Sequence, residues 1–402
     1  MKKKKKTGTE KTGTVLVLEK SGKRKNVILP AWRQTGKAPS PIYVQFDVLE
    51  KFIKDVFAAL GVPARDAEIC ADVLVTADKR GIDSHGIARL KTIYYDRIKA
   101  GIQKPETEFE IVKETPATVL IDGHDGMGQV ISKKAMAVAI EKGKKTGLGM
   151  AAVKNSTHYG IAGYYVLMAA EEGMIGITGT NARPSVAPTF GVENMLGTNP
   201  LTFGIPTDEE FPFVIDCATS LAQRGKIENY ARKRGKIPPG WVVSRDGVSK
   251  TDAGEILNDL LKGNAALVPL GGAGEETAGY KGYGYSTAVE ILSAALQGGP
   301  FLKMLSGERG AYHLGHFFIA INVSAFTELK SFKKTAGDIL RALRASEKAP
   351  GQARIYTAGE KEYLAWQIRK NKGAPVSGKT QREILRMRDE MGLLEYKFSF
   401  EK

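Results

Sequence analysis

Short apolar runs alternate with longer helical patterns over most of the chain, and this alternation limits the folds that the chain can adopt. Two leading segments, Phe46–Leu60 and Ala64–Arg80, have apolar residues at helical spacing, and a glycine follows each of them. Strands are predicted at Thr118–Ile121, Gly149–Val153, Ile175–Thr178, Phe213–Cys217 and Phe317–Asn322, and further helices at Gln129–Lys144, Ile161–Glu172, Tyr283–Leu296 and Leu329–Ala345. This alternation predicts a mixed α/β fold.

The segment Gly373–Thr380, GAPVSGKT, has the G-x-x-x-x-G-K-T spacing of a phosphate-binding loop. In nucleotide hydrolases a β-strand leads into such a loop, whereas EKEYLAWQIRKNK, which precedes it here, has a helical pattern. Pro375 lies inside the supposed loop, and the 22 residues after Thr380 are too few for the rest of a nucleotide-hydrolysing core. We therefore expect no nucleotide hydrolysis from this motif, and Lys379 is predicted to lie exposed at the start of a C-terminal helix.

Motifs for several other chemistries are missing from the sequence. No G-x-G-x-x-G follows a predicted strand, so an ordinary Rossmann site is not indicated. His313 and His316 lie three residues apart beside a predicted strand, where they would point to opposite faces, and no H-E-x-x-H is present. Without G-x-S-x-G or a Cys/His pair, hydrolase chemistry has no candidate residues. No metal site is predicted.

Basic residues are concentrated at the beginning of the chain. Of a formal net charge of +15, the first 39 residues carry +10, from twelve Lys or Arg and two Glu. We expect a flexible basic arm there, with binding to nucleic acid as the alternative reading, and no nucleic-acid binding by the rest of the chain. The two cysteines, Cys70 and Cys217, and the lack of an apolar signal or spanning segment indicate a cytoplasmic protein that crosses no membrane.

The most informative polar cluster is RGIDSHGIARL. A helix is predicted over Ser84–Ala100 with Ser84 as its N-cap, which would place His85 in the first turn and Arg89 on the same face. A guanidinium at a helix start can bind a carboxylate while the neighbouring imidazole exchanges a proton. A capped surface helix with an exposed arginine is the alternative.

Three further motifs place polar residues in predicted turns. VKNSTHYGIAGYY follows a strand and is predicted to open a helix with Asn155, Ser156 and His158 at its start. LGTNP holds Thr198 and Asn199 in a tight turn, and in GYKGYG the glycines around Lys281 would permit close approach of a ligand.

Together these motifs resemble the type-2 malate/L-lactate dehydrogenase family, which also includes ureidoglycolate and sulfolactate dehydrogenases and cyclic imino-acid reductases. The resemblance extends from about Val44 to Met391 through RGIDSHGIARL, NSTHYGIAGYY, GMIGITGTNARPSVAP, LGTNPLTFGIP, FVIDCATS, IPPGW, PLGG, GYKGYG and YTAGEKE. It implies a non-Rossmann nicotinamide-binding fold, a homodimer, and reversible hydride transfer between NAD or NADP and a 2-hydroxy or 2-oxo acid.

The resemblance also assigns roles to residues. It implies that Ser84 and His85 are the proton-transfer pair, that His158 is a second candidate for the acid/base, and that Arg89 binds the substrate carboxylate. Thr198 and Asn199 are expected to bind substrate. Cofactor contacts are expected from His158, Tyr159, Gly160, Asn181, Arg183, Asp216, Cys217, Ala218, Lys281, Gly359 and Glu360.

The substrate and the domain division follow from the same resemblance. Malate is favoured, with lactate and sulfolactate as alternatives, because the insertion LLKGNAALVPLGGAGEETAGYKGYG is similar to that of the malate/lactate branch. Imine reduction is less favoured, since ARKRG with Lys233 lacks the acid that the imino-acid reductases have there. Arg183 favours NADP over NAD, since an arginine can accommodate a 2′-phosphate. The expected domains are a basic arm at 1–43, a helical domain at 44–115 and 340–402, a nicotinamide-binding domain at 116–220 and 276–339, and an insert at 221–275.

Overall fold

A seven-stranded mixed β-sheet lies at the centre of the structure, a computed structural model that describes residues 14–18, 24–28, 42–232, 235–306 and 313–401. The strands of this sheet are β4 Glu110–Glu114, β5 Thr118–Asp122, β6 Leu148–Ser156, β7 Met174–Thr180, β8 Leu201–Ile205, β9 Phe213–Cys217 and β12 Leu314–Asn322. They are arranged in the order β4-β5-β6-β12-β7-β8-β9, in which β5 and β6 run parallel and the other neighbours run antiparallel. The predicted α/β class is confirmed, and a sheet with this pairing is not the parallel sheet of a Rossmann fold.

Helices cover the sheet and build a second layer beside it. The helices are α1 Phe46–Ala59, α2 Ala64–Lys79, α3 Ile87–Arg89, a π-helix at Leu90–Tyr95, α4 Asp96–Lys99, α5 Gly128–Thr146, α6 Gly163–Glu171, α7 Arg224–Arg232, α8 Ala253–Lys262, α9 Gly279–Ser293, α10 Leu329–Ala345, α11 Glu360–Arg369 and α12 Gly378–Glu390, with 3₁₀ turns at Ala295–Gln297, Leu302–Ser306 and Val323–Ala325. Short strand pairs are formed by β1 Thr14–Leu18 with β2 Arg24–Ile28, β3 Ile42–Val44 with β13 Ala374–Val376, and β10 Val242–Ser244 with β11 Ala265–Leu267.

Separate apolar cores hold these layers together. In the sheet core, α5 and α6 pack on the strands through side chains such as Ile131, Tyr165 and Phe318. A second core joins α1 and α2 to α12 and the C-terminal residues after it, as in the contact of Phe52 with Phe398. A third, smaller core lies between α7, α8 and the β10-β11 pair. Each large side chain that becomes fully buried contributes about 1.5–3 kcal/mol to folding. The domain boundaries stay a prediction.

The turn that contains Ser84 and His85 differs from the prediction. Ser84 is not an N-cap, since the helix begins at Ile87 and Gly86 occupies the cap position without a side-chain bond. The free N–H of Ile87 is instead bound by the buried Asp78 carboxylate of α2, at 2.8 Å from Oδ2. The helix then continues as a π-helix rather than as one regular α-helix up to residue 100. The cap is supplied from a distant part of the chain, which local patterning could not predict.

Two glycine-rich motifs also adopt conformations other than those predicted. In VKNSTHYG, strand β6 continues to Ser156 and α6 starts at Gly163, so His158 lies in the connection between them. GYKGYG is not a turn but the first part of α9. A Cβ atom at Gly279 would lie 2.0 Å from the Gly272 carbonyl oxygen, so this glycine serves the packing of α9 on the preceding loop.

The GAPVSGKT segment does not form a phosphate-binding loop. Its residues Ala374–Val376 pair as strand β13 with β3, and the Ser377 hydroxyl accepts the N–H of Thr380 as the N-cap of α12. Residues 374–376 are thus extended in a strand pair instead of curling around a phosphate, and the Thr380 N–H is bound by Ser377. The side chain of Lys379 is 67% exposed in the first turn of α12, as predicted, and lies 3.6 Å from Glu383.

The N-terminal arm is described only in part. Strands β1 and β2, which the patterning did not predict, form an antiparallel pair within it. Residues 42 and 43 of the arm belong to β3, and all of its residues other than these and those of β1 and β2 lie outside the described residues. Lys233, whose position bears on imine reduction, also lies outside them. None of the helices described is long and apolar enough to cross a membrane.

Candidate active site

A cavity of about 640 Å³ opens between the turn before α3, the connection from β6 to α6, the end of β9 and the start of α7. The cavity wall includes these predicted site residues: Ser84, His85, Arg89, His158, Tyr159, Gly160, Asn181, Thr198, Asp216, Cys217 and Ala218. They come from five separate stretches of sequence, and the fold brings them to one place.

His85 and Arg89 form a compact pair at this cavity. The His85 Nδ1 lies 2.8 Å from the Ser84 hydroxyl, and the Arg89 Nε donates to the Ser84 carbonyl oxygen at 2.5 Å. Burial, and then the positive charge of Arg89, lower the pKa of His85 to about 4. The imidazole is therefore neutral at neutral pH and can accept a proton.

Asp78 and Gly86 hold the turn on which this pair stands. The carboxylate of Asp78 lies so close beneath Gly86 that a Cβ atom there would be 2.1 Å from its Cγ. Arg369 of α11 donates to the Asp78 carbonyl oxygen at 2.6 Å and also binds Asp83. Burial raises the pKa of Asp78 to about 8. A glycine is thus required at position 86 by the carboxylate that caps α3.

His158 stands opposite His85 in the same cavity. The two rings are stacked, with 5.9 Å between their centroids and 19° between their planes. The Tyr94 hydroxyl lies 2.6 Å from His158 Nδ1, and the Gly160 N–H donates to the same atom at 3.3 Å. Burial is the main cause that lowers the pKa of His158 well below its usual value, and His85 and Arg89 add to it. Both histidines are therefore neutral at neutral pH.

The cavity wall offers further polar groups for a ligand. The Asp216 carboxylate accepts the Gly163 N–H at 2.7 Å, and its pKa is raised by burial. Within the described part of the chain, the buried Nε of Arg80 has no hydrogen-bond partner. Buried polar atoms without partners are uncommon unless a water or ligand satisfies them. A cavity that contains a guanidinium nitrogen unpartnered among the described residues, a buried carboxyl group and two neutral imidazoles fits a nicotinamide cofactor and a small acid.

Five predicted site residues do not line this cavity. Asn199 is fully buried, and its side chain binds Glu290 at 2.8 Å and the Ala182 N–H at 3.2 Å, so it braces the loop that carries Thr198. Gly359 and Glu360 lie at the start of α11, where Glu360 is buried and paired with Arg354.

The remaining two, Lys281 on α9 and Arg183, are exposed. Arg183 follows Ala182, which does line the cavity. Their predicted roles stay predictions for this chain.

Several residues of the cavity wall were not predicted from the sequence. They include Arg80 and Glu362, and also Gln223, Arg224 and Asn229, which belong to α7 or to the residue before it. Arg80 directly precedes the GIDSHG turn, and this position in the sequence could have identified it as a site residue. The residues around α7 carry no motif, and only the packing of α7 shows their position.

Comparison with known proteins identifies the family of the chain. The family model described as malate/L-lactate dehydrogenase matches residues 44–385. The chain is 44% identical to a malate dehydrogenase from Pyrococcus horikoshii over 354 residues, which are 88% of this chain and 96% of that protein. It is 39% identical to an L-sulfolactate dehydrogenase from Methanocaldococcus jannaschii, over 86% of this chain and 96% of the relative.

A solved structure has the same architecture. The malate dehydrogenase of Entamoeba histolytica superposes with a TM-score of 0.87 and 45% sequence identity, covering 90% of this chain and 100% of that one. The chain belongs to the malate/L-lactate dehydrogenase family and is a hydroxyacid dehydrogenase that uses a nicotinamide cofactor.

Proposed function

We propose that the enzyme interconverts malate and oxaloacetate, using NADP or NAD. The observation that carries the proposal is the pairing of a neutral imidazole, His85, with the guanidinium of Arg89 in one cavity. The malate dehydrogenases among the relatives support the choice of acid. Sulfolactate and lactate are the alternative substrates.

The roles of the side chains follow from their chemistry. When bound, the nicotinamide ring accepts or supplies the hydride at the 2-carbon of the acid. His85 takes the proton of the 2-hydroxyl in oxidation and returns it in reduction. The Arg89 Nε is occupied by Ser84, which leaves its terminal nitrogens for a bidentate bond to the 2-carboxylate. Ser84, bound to His85 Nδ1, orients the imidazole.

A second basic group favours an acid with two negative charges. Arg224, the first residue of α7, lines the same cavity as Arg89. A Cβ atom on the next residue, Gly225, would lie 3.9 Å from Arg89 Nη2, so the N-terminus of α7 reaches the Arg89 guanidinium. The N-terminus of α7 and the terminal nitrogens of Arg224, whose Nε binds Glu228 at 3.2 Å, can neutralise the second carboxylate of malate or the sulfonate of sulfolactate. Lactate has no second anionic group.

The proposal is tested by measuring NADH and NADPH oxidation with oxaloacetate, sulfopyruvate, pyruvate and a cyclic imine. We expect the highest kcat/KM with oxaloacetate and a much lower value with pyruvate. A clear preference for sulfopyruvate would replace malate by sulfolactate. Turnover of the cyclic imine alone would contradict the proposal and assign the chain to the imine reductases.

The cofactor preference is predicted to depend on Arg183. This exposed arginine lies next to the cavity wall, and an arginine can bind a 2′-phosphate where an acid would bind a free 2′-hydroxyl. We expect NADPH to be used at least as well as NADH, and Arg183→Asp to shift the kcat/KM ratio towards NADH about tenfold, or about 1.4 kcal/mol.

The matched control for Arg183 is Arg382→Asp, which changes an exposed arginine on α12. It should leave the ratio of NADPH to NADH activity unchanged. A wild type specific for NADH, or the same ratio of NADPH to NADH activity in the two variants, would show that Arg183 does not bind the 2′-phosphate.

Lys379 is predicted to have no part in catalysis. Lys379→Ala destroys the G-K-T motif, but the side chain of Lys379 is exposed on α12 and lies outside the cavity. We expect dehydrogenase kcat and KM to stay within about twofold of wild type, because surface substitutions usually change stability by no more than about 0.5 kcal/mol. If the wild type hydrolyses ATP and this variant does not, the motif is a nucleotide-hydrolysing site after all.

The oligomeric state and the location are further parts of the proposal. Exposed apolar side chains on and near α9, such as Tyr283, Ile291 and Phe301, support the homodimer that the family resemblance implies. Sedimentation equilibrium should give a mass twice that of one chain. The cytoplasmic location is proposed on the two grounds that predicted it, the cysteine content and the lack of an apolar signal or spanning segment in the sequence.

A further inference from the structure

The site contains two histidines that are both neutral, but the reaction needs only one proton acceptor. His85 and His158 line one cavity with their rings stacked. A neutral imidazole carries its single hydrogen on either Nδ1 or Nε2, and the partners of Nδ1 decide which nitrogen it occupies. The two histidines differ in these partners.

The partners of His158 Nδ1 both donate. The Gly160 backbone N–H can only donate, so it favours Nδ1 as the acceptor, but at 3.3 Å from Nδ1 it is a weak contact and leaves most of the preference to Tyr94. The Tyr94 hydroxyl is 2.6 Å from the same Nδ1 and 3.5 Å from the His158 carbonyl oxygen, so the shorter contact takes its hydrogen. The ring hydrogen of His158 is therefore on Nε2. His85 has no such restriction, because its Nδ1 partner is the Ser84 hydroxyl, which can donate or accept.

Tyr94 is held rigidly for this contact. It is fully buried in the π-helix Leu90–Tyr95, and its ring packs edge-on against Phe57 and His158. The backbone of His158 is fixed from the other side by α5, since a Cβ atom at Gly128 would lie 2.6 Å from the His158 carbonyl oxygen. A π-helical turn of this kind is frequent at functional sites.

We propose that Tyr94 is a positioning residue that fixes His158 as the Nε2–H tautomer, so that His158 donates a hydrogen bond into the cavity and proton exchange falls to His85. Within the described residues, no side chain or backbone group makes a hydrogen bond to His158 Nε2, so this N–H is free for the 2-oxygen of the substrate. The inference rests on the proposed function for its kinetic consequence. The tautomer of His158 is a property of the protein without substrate and does not depend on the proposed function.

The test compares Tyr94→Phe with Tyr95→Phe. Tyr94→Phe removes one hydroxyl and keeps the ring, while Tyr95→Phe removes the hydroxyl of the neighbouring residue, which binds Glu390 on α12, away from the cavity. We expect kcat of Tyr94→Phe to fall about tenfold with little change in KM for the acid, the equivalent of about 1.4 kcal/mol. Tyr95→Phe should keep the kcat of wild type.

The tautomer is read directly from nuclear magnetic resonance of protein with nitrogen-15-labelled histidine, in which the His158 signal is assigned by its loss in His158→Gln. Wild type should show His158 with hydrogen on Nε2, and Tyr94→Phe should show a mixture of tautomers. Hydrogen on Nδ1 in wild type would overturn the inference. So would a Tyr94→Phe variant that matches Tyr95→Phe in both tautomer and kcat. Because the spectrum needs no substrate, a wild type inactive on every 2-oxo acid would refute the proposed function and leave this test intact.

Discussion

His85→Ala should lower kcat by about 100- to 10,000-fold, because a positioned acid/base group contributes rate enhancement of that size. The neutral imidazole of His85 lines the same cavity as the Arg89 guanidinium that is proposed to bind the acid. Of these two groups, only the imidazole can accept the 2-hydroxyl proton. The measurement is steady-state oxidation of malate and reduction of oxaloacetate, with unfolding temperature measured in parallel.

His158→Ala is the matched comparison, since its ring lies against that of His85 in the same cavity. We expect a smaller loss, because a hydrogen-bond donor contributes less than the proton acceptor. His124→Ala, at a histidine bound to Glu110 outside the cavity, should not change kcat. Near-native kcat in His85→Ala with an inactive His158→Ala would reverse the assignment of the acid/base.

The pH dependence of oxidation gives an independent check on His85. The base must be unprotonated to act, and the pKa of His85 is lowered to about 4 by burial and by Arg89. The kcat/KM for malate reports groups of the free enzyme, so it should be flat between about pH 6 and pH 8 and fall only as the pH approaches about 4. A base with an ordinary histidine pKa would instead lose activity below about pH 6.5.

Arg89→Lys should raise KM for the acid by about 30- to 100-fold with a much smaller change in kcat. Charge-assisted hydrogen bonds are worth about 1.5–3 kcal/mol, and an ammonium group cannot reproduce a bidentate guanidinium bond. Lysine also lacks the Nε–H that binds the Ser84 carbonyl oxygen, so the side chain loses its orientation as well. Steady-state kinetics over a range of oxaloacetate concentrations measures both constants.

The control for Arg89 is Arg65→Lys, which makes the same change at an exposed position on α2 outside the cavity. It should leave KM unchanged. If Arg89→Lys has the KM of wild type, Arg89 does not bind the carboxylate. A loss confined to kcat would move Arg89 from substrate binding to orientation of the Ser84–His85 turn.

The sequence predicted the regular elements well where local pattern decides them. Helix α10 has the predicted bounds, and strands β5, β7 and β9 lie where the apolar runs placed them. The short strand β13 and the start of α3 were not predicted, because a distant partner stabilises each of them: β3 pairs with β13, and Asp78 caps α3.

The candidate site divides in the same way. The order of the motifs was enough to identify the family and to select His85, Arg89 and His158 as candidates. A histidine can exchange protons and an arginine can bind a carboxylate in any fold, so their residue types alone suggest these roles. The orientation of each side chain was decided by packing. Asn199 has the composition of a substrate ligand, yet its carboxamide turns inward to Glu290, which lies 91 residues further along the chain.

What the sequence by itself determined is the α/β class, the family, and the set of polar residues from which the site is built. Only the tertiary structure decided which of them share a cavity and which hydrogen bonds they make. Tyr94 and His158 are separated by 64 residues, and no periodicity or spacing relates them. Their contact exists because α5 and the π-helix pack around the connection between β6 and α6, and burial then obliges each polar group to find a partner.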